Sequence, residues 1–411
     1  MATDGYLLRT ATAADHPEIY RTLSLAFNED PDDDEGANER LVFEPERTLV
    51  TIAGDTIVGV AAAYTRELGI PGGQVPAGHV TMVGVDPAHR RRGVLTRMMR
   101  EQLGDIRARG EAIAALWASE GRIYQRYGYG SAARGLSLEI EREAQLRDVP
   151  PAGGLRGAVP AEVTADLQKV YEQVRAERTG WSSRDTRWWD HILADFTKRR
   201  SGATALRAVL HEGSGGVDGY ALWRVRSEWS PSGPQGVVLV REFVAANPVA
   251  YRALWHYLLS VDLTRETRLP HGTIDEPLQY LVNEPRKLNA RLGDALWVRL
   301  VDVPAALAIR RYAAPVDVVL EIDDPLIPAN SGTWHLVGDS AGAVCRPAER
   351  PADRPAELRC EVGALGAAYL GDASLATLAA AGRIEELVPG TLAAASTAFG
   401  WHRAPSAIEV F

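Results

Sequence analysis

A short arginine-rich loop is the part of this chain whose residue types best fit ligand-binding chemistry. The apolar run Val80–Val85 ends at the turn-forming pair Asp86-Pro87, and Arg90–Arg92 precede Gly93. Apolar residues then recur at helical spacing over Leu95–Ile106, which predicts a strand, a basic loop and a helix. Backbone N–H groups at a helix start and nearby arginines both attract phosphate, so this loop is expected to bind a pyrophosphate. An ordinary basic turn before a surface helix is the alternative.

The spacing within the loop narrows the class of ligand. It fits neither GxxxxGK[ST] nor GxGxxG, which argues against P-loop and Rossmann sites. The segment Arg90–Leu95 instead resembles the R/Q-x-x-G-x-G/A signature of the GNAT superfamily of N-acetyltransferases, although Leu95 replaces the third small residue. This resemblance implies that the loop holds the pyrophosphate of acetyl-CoA.

A second segment contains tyrosines suited to proton transfer. The apolar stretch Ala114–Ala118 leads into Ser119-Glu120, and Tyr124, Tyr127 and Tyr129 follow. A phenol with a pKa of about 10 is protonated at neutral pH and can return a proton to the CoA thiolate. Acetyltransferases of the GNAT class use a tyrosine near this position for that step. Alternation and the Gly-Tyr-Gly turn indicate that the second and third tyrosines pack or shape the turn.

The end of the chain extends the resemblance. Glu409-Val410-Phe411 is an apolar, aromatic finish, whereas termini are usually polar and frayed. A docked end would place the α-carboxylate of Phe411 inside the protein. Together with the HRRRG loop, the SEG-x-IY segment with its GYG turn and the stretch Asp302–Tyr312, this makes the whole chain similar to the enhanced intracellular survival (Eis) family of acetyltransferases.

The Eis resemblance implies roles for individual residues. Tyr124 matches the general acid, and the α-carboxylate of Phe411 matches the general base. Trp117 stands where one relative has a histidine, which leaves the substrate range open. The residues expected to contact acetyl-CoA are Val83, Gly84 and Val85 of the strand, Arg91, Arg92, Gly93, Val94, Leu95 and Thr96 of the loop, and Ser119 and Glu120 on the opposite side of the cleft.

Composition and charge restrict the possible partners, cofactors and cellular location of the protein. The net charge of −9 argues against nucleic acid as a partner and favours cationic substrates. The acidic run Glu29–Glu35 is either a solvated loop or a place where Glu29 lines a pocket for a polyamine-like substrate. Cys345 and Cys360 are expected to be reduced thiols, with a single bridge between them as the alternative, and two cysteines are too few for a metal cluster. No apolar run of membrane-spanning length and no secretory signal stand out, so a cytoplasmic protein is expected.

The order of predicted elements indicates an α/β and α+β protein. A chain of 411 residues is too long for one core. Residues 1–150 are predicted to form a GNAT domain that binds acetyl-CoA. Residues 151–303 are predicted to form a second GNAT-like domain without a cofactor loop, closed by a strand near Ala295–Val303. Residues 304–411 resemble a sterol-carrier-like α+β domain that carries the terminal carboxylate. Trp181, Trp188 and Trp189 either wall a substrate pocket or belong to a core.

These observations lead to a mechanistic hypothesis. Acetyl passes from acetyl-CoA to a primary amine of an aminoglycoside- or polyamine-like cation, while backbone N–H groups of Val83–Val85 polarise the thioester. One alternative is an acetyltransferase specific for protein lysines. Another is a non-catalytic protein that binds an apolar ligand through its last domain. The family resemblance also implies a homohexamer.

Overall fold

A computed structural model describes residues 5–148, 154–348 and 354–411 of the chain, which divides into two units. The first unit contains Met1–Ala133, Ala295–Pro405 and Val410–Phe411, and the second contains Arg134–Asp294 and Ser406–Glu409. The predicted domain boundary at residue 150 lies outside the described residues.

The strands and helices are numbered here in chain order. The strands are β1 (Tyr6–Thr10), β2 (Thr48–Ala53), β3 (Thr56–Ile70), β4 (Gly73–Val85), β5 (Ile113–Trp117), β6 (Gly130–Ser131), β7 (Arg134–Glu141), β8 (Leu155–Ala158), β9 (Arg207–Gly213), β10 (Gly216–Arg226), β11 (Trp229–Ser230), β12 (Gly233–Pro234), β13 (Gly236–Ala245), β14 (Thr264–Thr273), β15 (Arg291–Asp294), β16 (Leu296–Leu300), β17 (Val316–Asp323), β18 (Gly332–Gly338), β19 (Ala343–Pro347), β20 (Leu358–Glu361) and β21 (Ile384–Glu386). The helices are α1 (His16–Phe27), α2 (Asp33–Val42), α3 (Val94–Ala108), α4 (Gly121–Gln125), α5 (Thr164–Arg175), α6 (Thr186–Leu193), α7 (Pro248–Leu259), α8 (Leu278–Leu281), α9 (Val303–Ile309), α10 (Val362–Ala368), α11 (Leu375–Ala380) and α12 (Thr391–Phe399).

A seven-stranded sheet in the first unit carries the predicted cofactor strand. Its order is β1-β2-β3-β4-β5-β16-β6, and β4 and β5 run parallel. Helix α3 packs against this sheet because Met98, Met99, Leu103 and Ile106 recur at helical spacing and are all buried. The predicted order of strand, basic loop and helix is therefore confirmed, and it puts the start of α3 directly after the loop that follows β4.

The second unit repeats this arrangement. Its seven-stranded sheet has the order β15-β7-β14-β13-β10-β9-β8, with β13 and β14 parallel. Leu254, Trp255 and Leu258 of α7 are buried in its core, as are Trp189 and Tyr171 in a second apolar cluster. Trp181 and Trp189 therefore belong to a core, as one of the two interpretations of the tryptophans predicted, and Trp188 is buried as well.

A third sheet lies in the C-terminal part of the first unit. Its order is β19-β18-β17-β20-β21, and β17 pairs antiparallel with β18 and parallel with β20. Helix α12 packs on β17, and helix α10 packs on β16. Mixed sheets flanked by helices in all three regions confirm the predicted α/β and α+β class.

One strand lies in a different sheet from the one predicted. The strand near Ala295–Val303 was expected to close the second domain, but β16 pairs with β5 and β6 in the first sheet. Conversely, β7 pairs with β14 and β15 in the second sheet. An apolar run identifies a strand but carries no information about its partners, which is why the sequence misplaced β16.

The structure also gives evidence on membrane-spanning helices, metal sites and the two cysteines. Among the described residues, no helix combines the length and apolarity needed to cross a membrane. Within the same residues, no three His, Cys, Asp or Glu side chains lie close enough together to hold a metal ion. Cys345 and Cys360 are both free thiols, and burial raises the pKa of each to about 12, so both stay protonated at neutral pH.

Candidate active site

Strands β4 and β5 form only a short ladder before the basic loop. Gly78-His79 pair with Ala114-Ala115. Further along β4, Met82 has a φ of 49° at a point where the pairing with β3 shifts register. Such a bulge bends a strand and re-aims its backbone. The residues just after it, Val83–Val85, line a cavity of about 890 Å³.

The basic loop places a helix N-terminus at this cavity. Gly93 is the N-cap of α3 with a φ of 83°, and Arg91 has a φ of 62°. Glycine adopts this left-handed conformation without the steric cost that a Cβ brings. Arg90 braces the loop, since its Nε donates to Val85 O at 3.1 Å and its Nη2 to Ala26 O at 2.9 Å. The N–H groups at the start of α3 and the exposed Arg91 side chain are the kind of donors that bind a pyrophosphate.

Most of the sequence-predicted site residues meet at this cavity. It is also lined by His89, Arg90, Arg122, Ile123, Arg126, Tyr127 and the end of α1. The predicted residues that line it are Val83, Gly84, Val85, Arg91, Gly93, Val94, Leu95, Thr96, Ser119, Glu120 and Tyr124.

Tyr124 is held on the short helix α4 with its side chain almost fully buried. Its carbonyl oxygen accepts hydrogen bonds from Tyr127 N at 2.9 Å and Tyr129 N at 3.3 Å, which folds the following turn back on α4. Burial, with a smaller contribution from Tyr127, raises the pKa of Tyr124 to about 12. The phenol is therefore neutral over the physiological range and keeps a proton to donate. The Tyr127 hydroxyl bonds Thr96 Oγ1 at 3.2 Å, and Tyr129 is enclosed in the core.

Three predicted site residues do not line the cavity. The ring of Phe411 lies 4.7 Å from the ring of His79, which belongs to β4. Arg92 donates from Nη1 to the hydroxyl of Tyr6 at 3.2 Å. Glu29 is exposed just after α1, whose last residues Ala26 and Phe27 do line the cavity. The roles assigned to these three residues stay predictions.

The acidic run has a structural explanation that the sequence reading missed. Asp32 is the N-cap of α2, and its side chain accepts a hydrogen bond from Glu35 N at 3.0 Å. Asp33, Asp34 and Glu35 occupy the first turn of that helix, where negative charge is favourable because of the helix dipole. The expectation of a loop is therefore wrong for Asp33–Glu35, which belong to a helix.

The end of α1 lies at the cavity, and the sequence had indicated a helix end at the cleft after Ser24–Phe27. Asn28 has a φ of 61° and its N–H bonds Leu25 O, which ends the helix beside the cavity. Asparagine tolerates the left-handed conformation, so Phe27-Asn28 is a readable helix stop. The sequence did not show which strand α1 would pack against. Arg122 and Arg126 were missed as well, because no motif distinguishes them from other surface arginines.

A bulged strand, a basic loop at a helix N-terminus and a neighbouring buried tyrosine define an acetyltransferase cleft of the GNAT type. Residues 8–132 match the acetyltransferase (GNAT) domain. Residues 180–300 match a second GNAT acetyltransferase domain, and residues 303–407 match the sterol carrier protein domain.

Comparison with individual proteins narrows the class to a family. The chain is 42% identical over 413 residues to an N-acetyltransferase of Streptomyces avermitilis described as uncharacterized, covering 98% of each chain. It is 34% identical over 344 residues to the N-acetyltransferase Eis of Mycobacterium bovis, covering 80% of each. The crystal structure of Eis1 from Mycobacterium abscessus matches with a TM-score of 0.85 and 33% identity, over 99% of this chain and 100% of that one. The chain belongs to the Eis family of GNAT N-acetyltransferases, for which acetyl-CoA is the acetyl donor, and the predicted family and enzyme class are confirmed.

Proposed function

We propose that this enzyme transfers acetyl from acetyl-CoA to a primary amine of a cationic small molecule of aminoglycoside or polyamine type. The observation that carries the proposal is the cavity of about 890 Å³, which joins the bulged strand β4, the start of α3 and Tyr124. The diphosphate of CoA lies against the loop Arg91–Thr96, and the pantetheine arm lies along the backbone of Val83–Val85. The opposite wall is Ser119-Glu120.

Tyr124 is the general acid of this proposal. Its hydroxyl protonates the departing thiolate, which requires a phenol that is still protonated when the thioester is cleaved. A pKa of about 12 guarantees the protonated form but makes the phenol a weaker acid. Burial also raises the pKa of a CoA thiol bound in the same cavity, which narrows the gap between donor and acceptor.

The α-carboxylate of Phe411 is the general base. An ammonium substrate must lose a proton before its nitrogen can attack the thioester, and a carboxylate within reach can take that proton directly or through water. In support, Phe411 is partly buried and its ring contacts His79 of β4, four residues before Val83 on the strand proposed to hold the acetyl group. Backbone N–H groups of Val83–Val85 stabilise the oxyanion.

Electrostatics supports a cationic acceptor. The chain has a net charge of −9, and a negative field raises the local concentration of polycations. The acidic segment that begins at Glu29 follows the cavity-lining end of α1, so Glu29 is the proposed substrate contact. A homohexameric assembly and a cytoplasmic location, which the family resemblance implies, belong to the same proposal.

A thiol-release assay tests the substrate class. Purified enzyme is given acetyl-CoA and aminoglycosides, polyamines or lysine-containing peptides, and the acetylated products are identified by mass spectrometry. Turnover with the first two classes and little with peptides is the expected result. Peptide-only turnover would favour the lysine-specific alternative, and binding of apolar ligands without any amine turnover would favour the non-catalytic one.

A C-terminal extension tests the base. One glycine added after Phe411 moves the free carboxylate by one residue, about 3.5 Å of chain. The expected result is loss of turnover with an unchanged dissociation constant for acetyl-CoA. Normal turnover of the extended enzyme would exclude the terminal carboxylate as the base.

A further inference from the structure

The second unit contains a counterpart of the first cleft. Strands β13 and β14 are parallel from Gly236 to Leu239, where the ladder with Thr264–Arg268 ends in the described structure. Residues Arg241–Ala245, Leu269 and His271–Thr273 then line a cavity of only about 80 Å³. Ser406, Ala407 and Ile408 from the end of the chain also line it. We call the space between these two strand segments the second cleft.

The C-terminal segment Ser406–Glu409 is fitted to this unit by backbone contacts. Ser406 N donates to Thr179 O at 3.0 Å, and Trp181 Nε1 donates to Ser406 Oγ at 3.0 Å. Gly180 has a φ of 89°, and a Cβ placed on it would lie 2.3 Å from Ser406 O. Any side chain at Gly180 would therefore collide with the segment, in addition to straining the backbone.

Arg184 connects the segment to the core of the unit. Its guanidinium is fully buried and lies 3.9 Å from the ring centre of Tyr171. Nη1 and Nη2 donate to the two carboxylate oxygens of Glu242 at 3.1 and 2.6 Å, while Nε donates to Glu409 Oε2 at 2.7 Å. Arginine presents several donors in a fixed fork, so one side chain binds both carboxylates.

The charge balance explains why Glu409 needs this partner. Arg184 and Glu242 alone form a neutral buried pair, and Glu409 adds a second carboxylate whose side chain is only 12% exposed. Burial by itself lowers the pKa of Arg184, but the two carboxylates outweigh it and raise that pKa well above its usual value. The hydroxyl of Tyr220 also donates to Glu242, which takes up part of the negative charge. The cluster therefore holds an anionic side chain two residues before the end of the chain.

We infer that Arg184 is a positioning residue for acetyl transfer, because it fixes Glu409 and thereby restricts where the terminal carboxylate of Phe411 can lie. This inference rests on the proposed role of that carboxylate. With Glu409 held, only Val410 and Phe411 separate it from the carboxylate, and two residues span at most about 7 Å. Without the hold, the chain beyond Ser406 can move, although Ser406 stays bonded to Thr179 and Trp181, and the carboxylate is spread over a larger volume. Because proximity of reacting groups contributes strongly to rate, turnover should depend on this remote arginine.

Variants of the full-length enzyme test the inference with two readouts. Arg184→Met removes the donors, Arg184→Lys keeps the charge without the fork, and Glu409→Gln weakens the same contact without leaving Glu242 unpaired. Arg187→Met is the control, since Arg187 is about half exposed and its side chain pairs with Asp185. The readouts are kcat and KM for both substrates, and amide hydrogen exchange of residues 406–411 measured by mass spectrometry.

The expected result is a selective loss of kcat. We expect kcat to fall about ten- to hundredfold in Arg184→Met and about three- to tenfold in Glu409→Gln, with KM for acetyl-CoA unchanged. Exchange of residues 406–411 should accelerate in both variants, Arg184→Lys should recover part of kcat, and the Arg187→Met control should match the parent enzyme. If Arg184→Met is too unstable to purify, Glu409→Gln supplies both readouts.

The outcomes distinguish the positioning role of Arg184 from the role of the Phe411 carboxylate as general base. If the glycine-extended enzyme is inactive but Arg184→Met and Glu409→Gln keep full kcat, the base stands and the positioning role is overturned. Unchanged exchange of residues 406–411 in both variants would overturn the positioning role as well. If the glycine-extended enzyme is fully active, the base itself is wrong, whatever the arginine variants do.

Discussion

The two GNAT folds of this chain have the same parallel strand pair and the same following helix, but their clefts differ about tenfold in size. The cleft of the first unit has a volume of about 890 Å³ and is lined by the basic loop. The cleft of the second unit has about 80 Å³ and is lined in part by Ser406–Ile408 of the same chain. A parallel strand pair with its helix therefore does not by itself make a cofactor site, because the space beside it must also stay open.

The loops before α3 and α7 also differ, and the difference again favours anion binding in the first unit. In the first unit Gly93 caps α3 without a side-chain hydrogen bond, and arginines surround it. In the second unit the side chain of Asn247 accepts hydrogen bonds from Val249 N and Ala250 N, both at 2.9 Å, and Pro248 has no N–H. A capped N-terminus has fewer donors left for an anion. We therefore expect acetyl-CoA to bind the first unit and not the second.

The largest expected effect comes from removing the phenol of Tyr124. Tyr124→Phe should lower kcat about 10²- to 10⁴-fold, because proton donation to the leaving thiolate contributes a factor of that size. The dissociation constant of acetyl-CoA, measured by titration calorimetry, should stay the same. Tyr280→Phe is the matched control in the second unit, since that side chain is 76% exposed. A near-normal kcat of the Tyr124→Phe enzyme would mean that Tyr124 is not the general acid.

The pH profile gives a second readout of the same residue. Because burial raises the pKa of Tyr124 to about 12, the phenol stays protonated throughout pH 7 to 10. Loss of this proton should therefore produce no fall of kcat between pH 8 and 10. A fall of kcat in that range that is absent from the pH profile of Tyr124→Phe would contradict the raised pKa of Tyr124.

The next largest effect is expected in the basic loop. Arg91→Ala should raise KM for acetyl-CoA about ten- to hundredfold, since a hydrogen bond to a charged group contributes about 1.5–3 kcal/mol. Arg100→Ala, at an exposed position of helix α3, which follows the loop, is the control for charge alone. Steady-state kinetics at saturating amine measures both. Equal effects of the two substitutions would mean that the loop acts only through the general field of the protein.

Local patterns predicted the first cleft well, because its parts are consecutive in sequence. The strand before Asp86, the loop at Arg91 and the buried face of α3 all follow from spacing and residue type. Tyr124 was identifiable for the same reason, as it lies shortly after β5. The pairing of strands was less accessible, and β16 was assigned to the wrong sheet because pairing depends on contacts between distant segments.

The attachment of the C-terminal segment Ser406–Glu409 to the second unit shows what sequence could not reveal. Arg184 and Glu409 are 225 residues apart, and neither belongs to a recognisable motif. Each is an ordinary charged residue until the fold buries them together, and long-range ion pairs leave no periodic signal. Gly180 is equally unremarkable in sequence, although its lack of a side chain is what admits Ser406.

The smallest expected effect separates the two helix starts directly. Asn247→Ala removes the side-chain cap of α7, which should lower the free energy of local opening of that helix by about 1 kcal/mol in hydrogen exchange. The substitution exposes the N–H groups of Val249 and Ala250 but adds no arginine, so KM for acetyl-CoA should not change. A change in KM would mean that the start of α7 takes part in cofactor binding. The two clefts would then differ only in how strongly they bind acetyl-CoA. An unchanged KM with faster exchange would show that this N-terminus serves only the fold, because its donors are used within the chain.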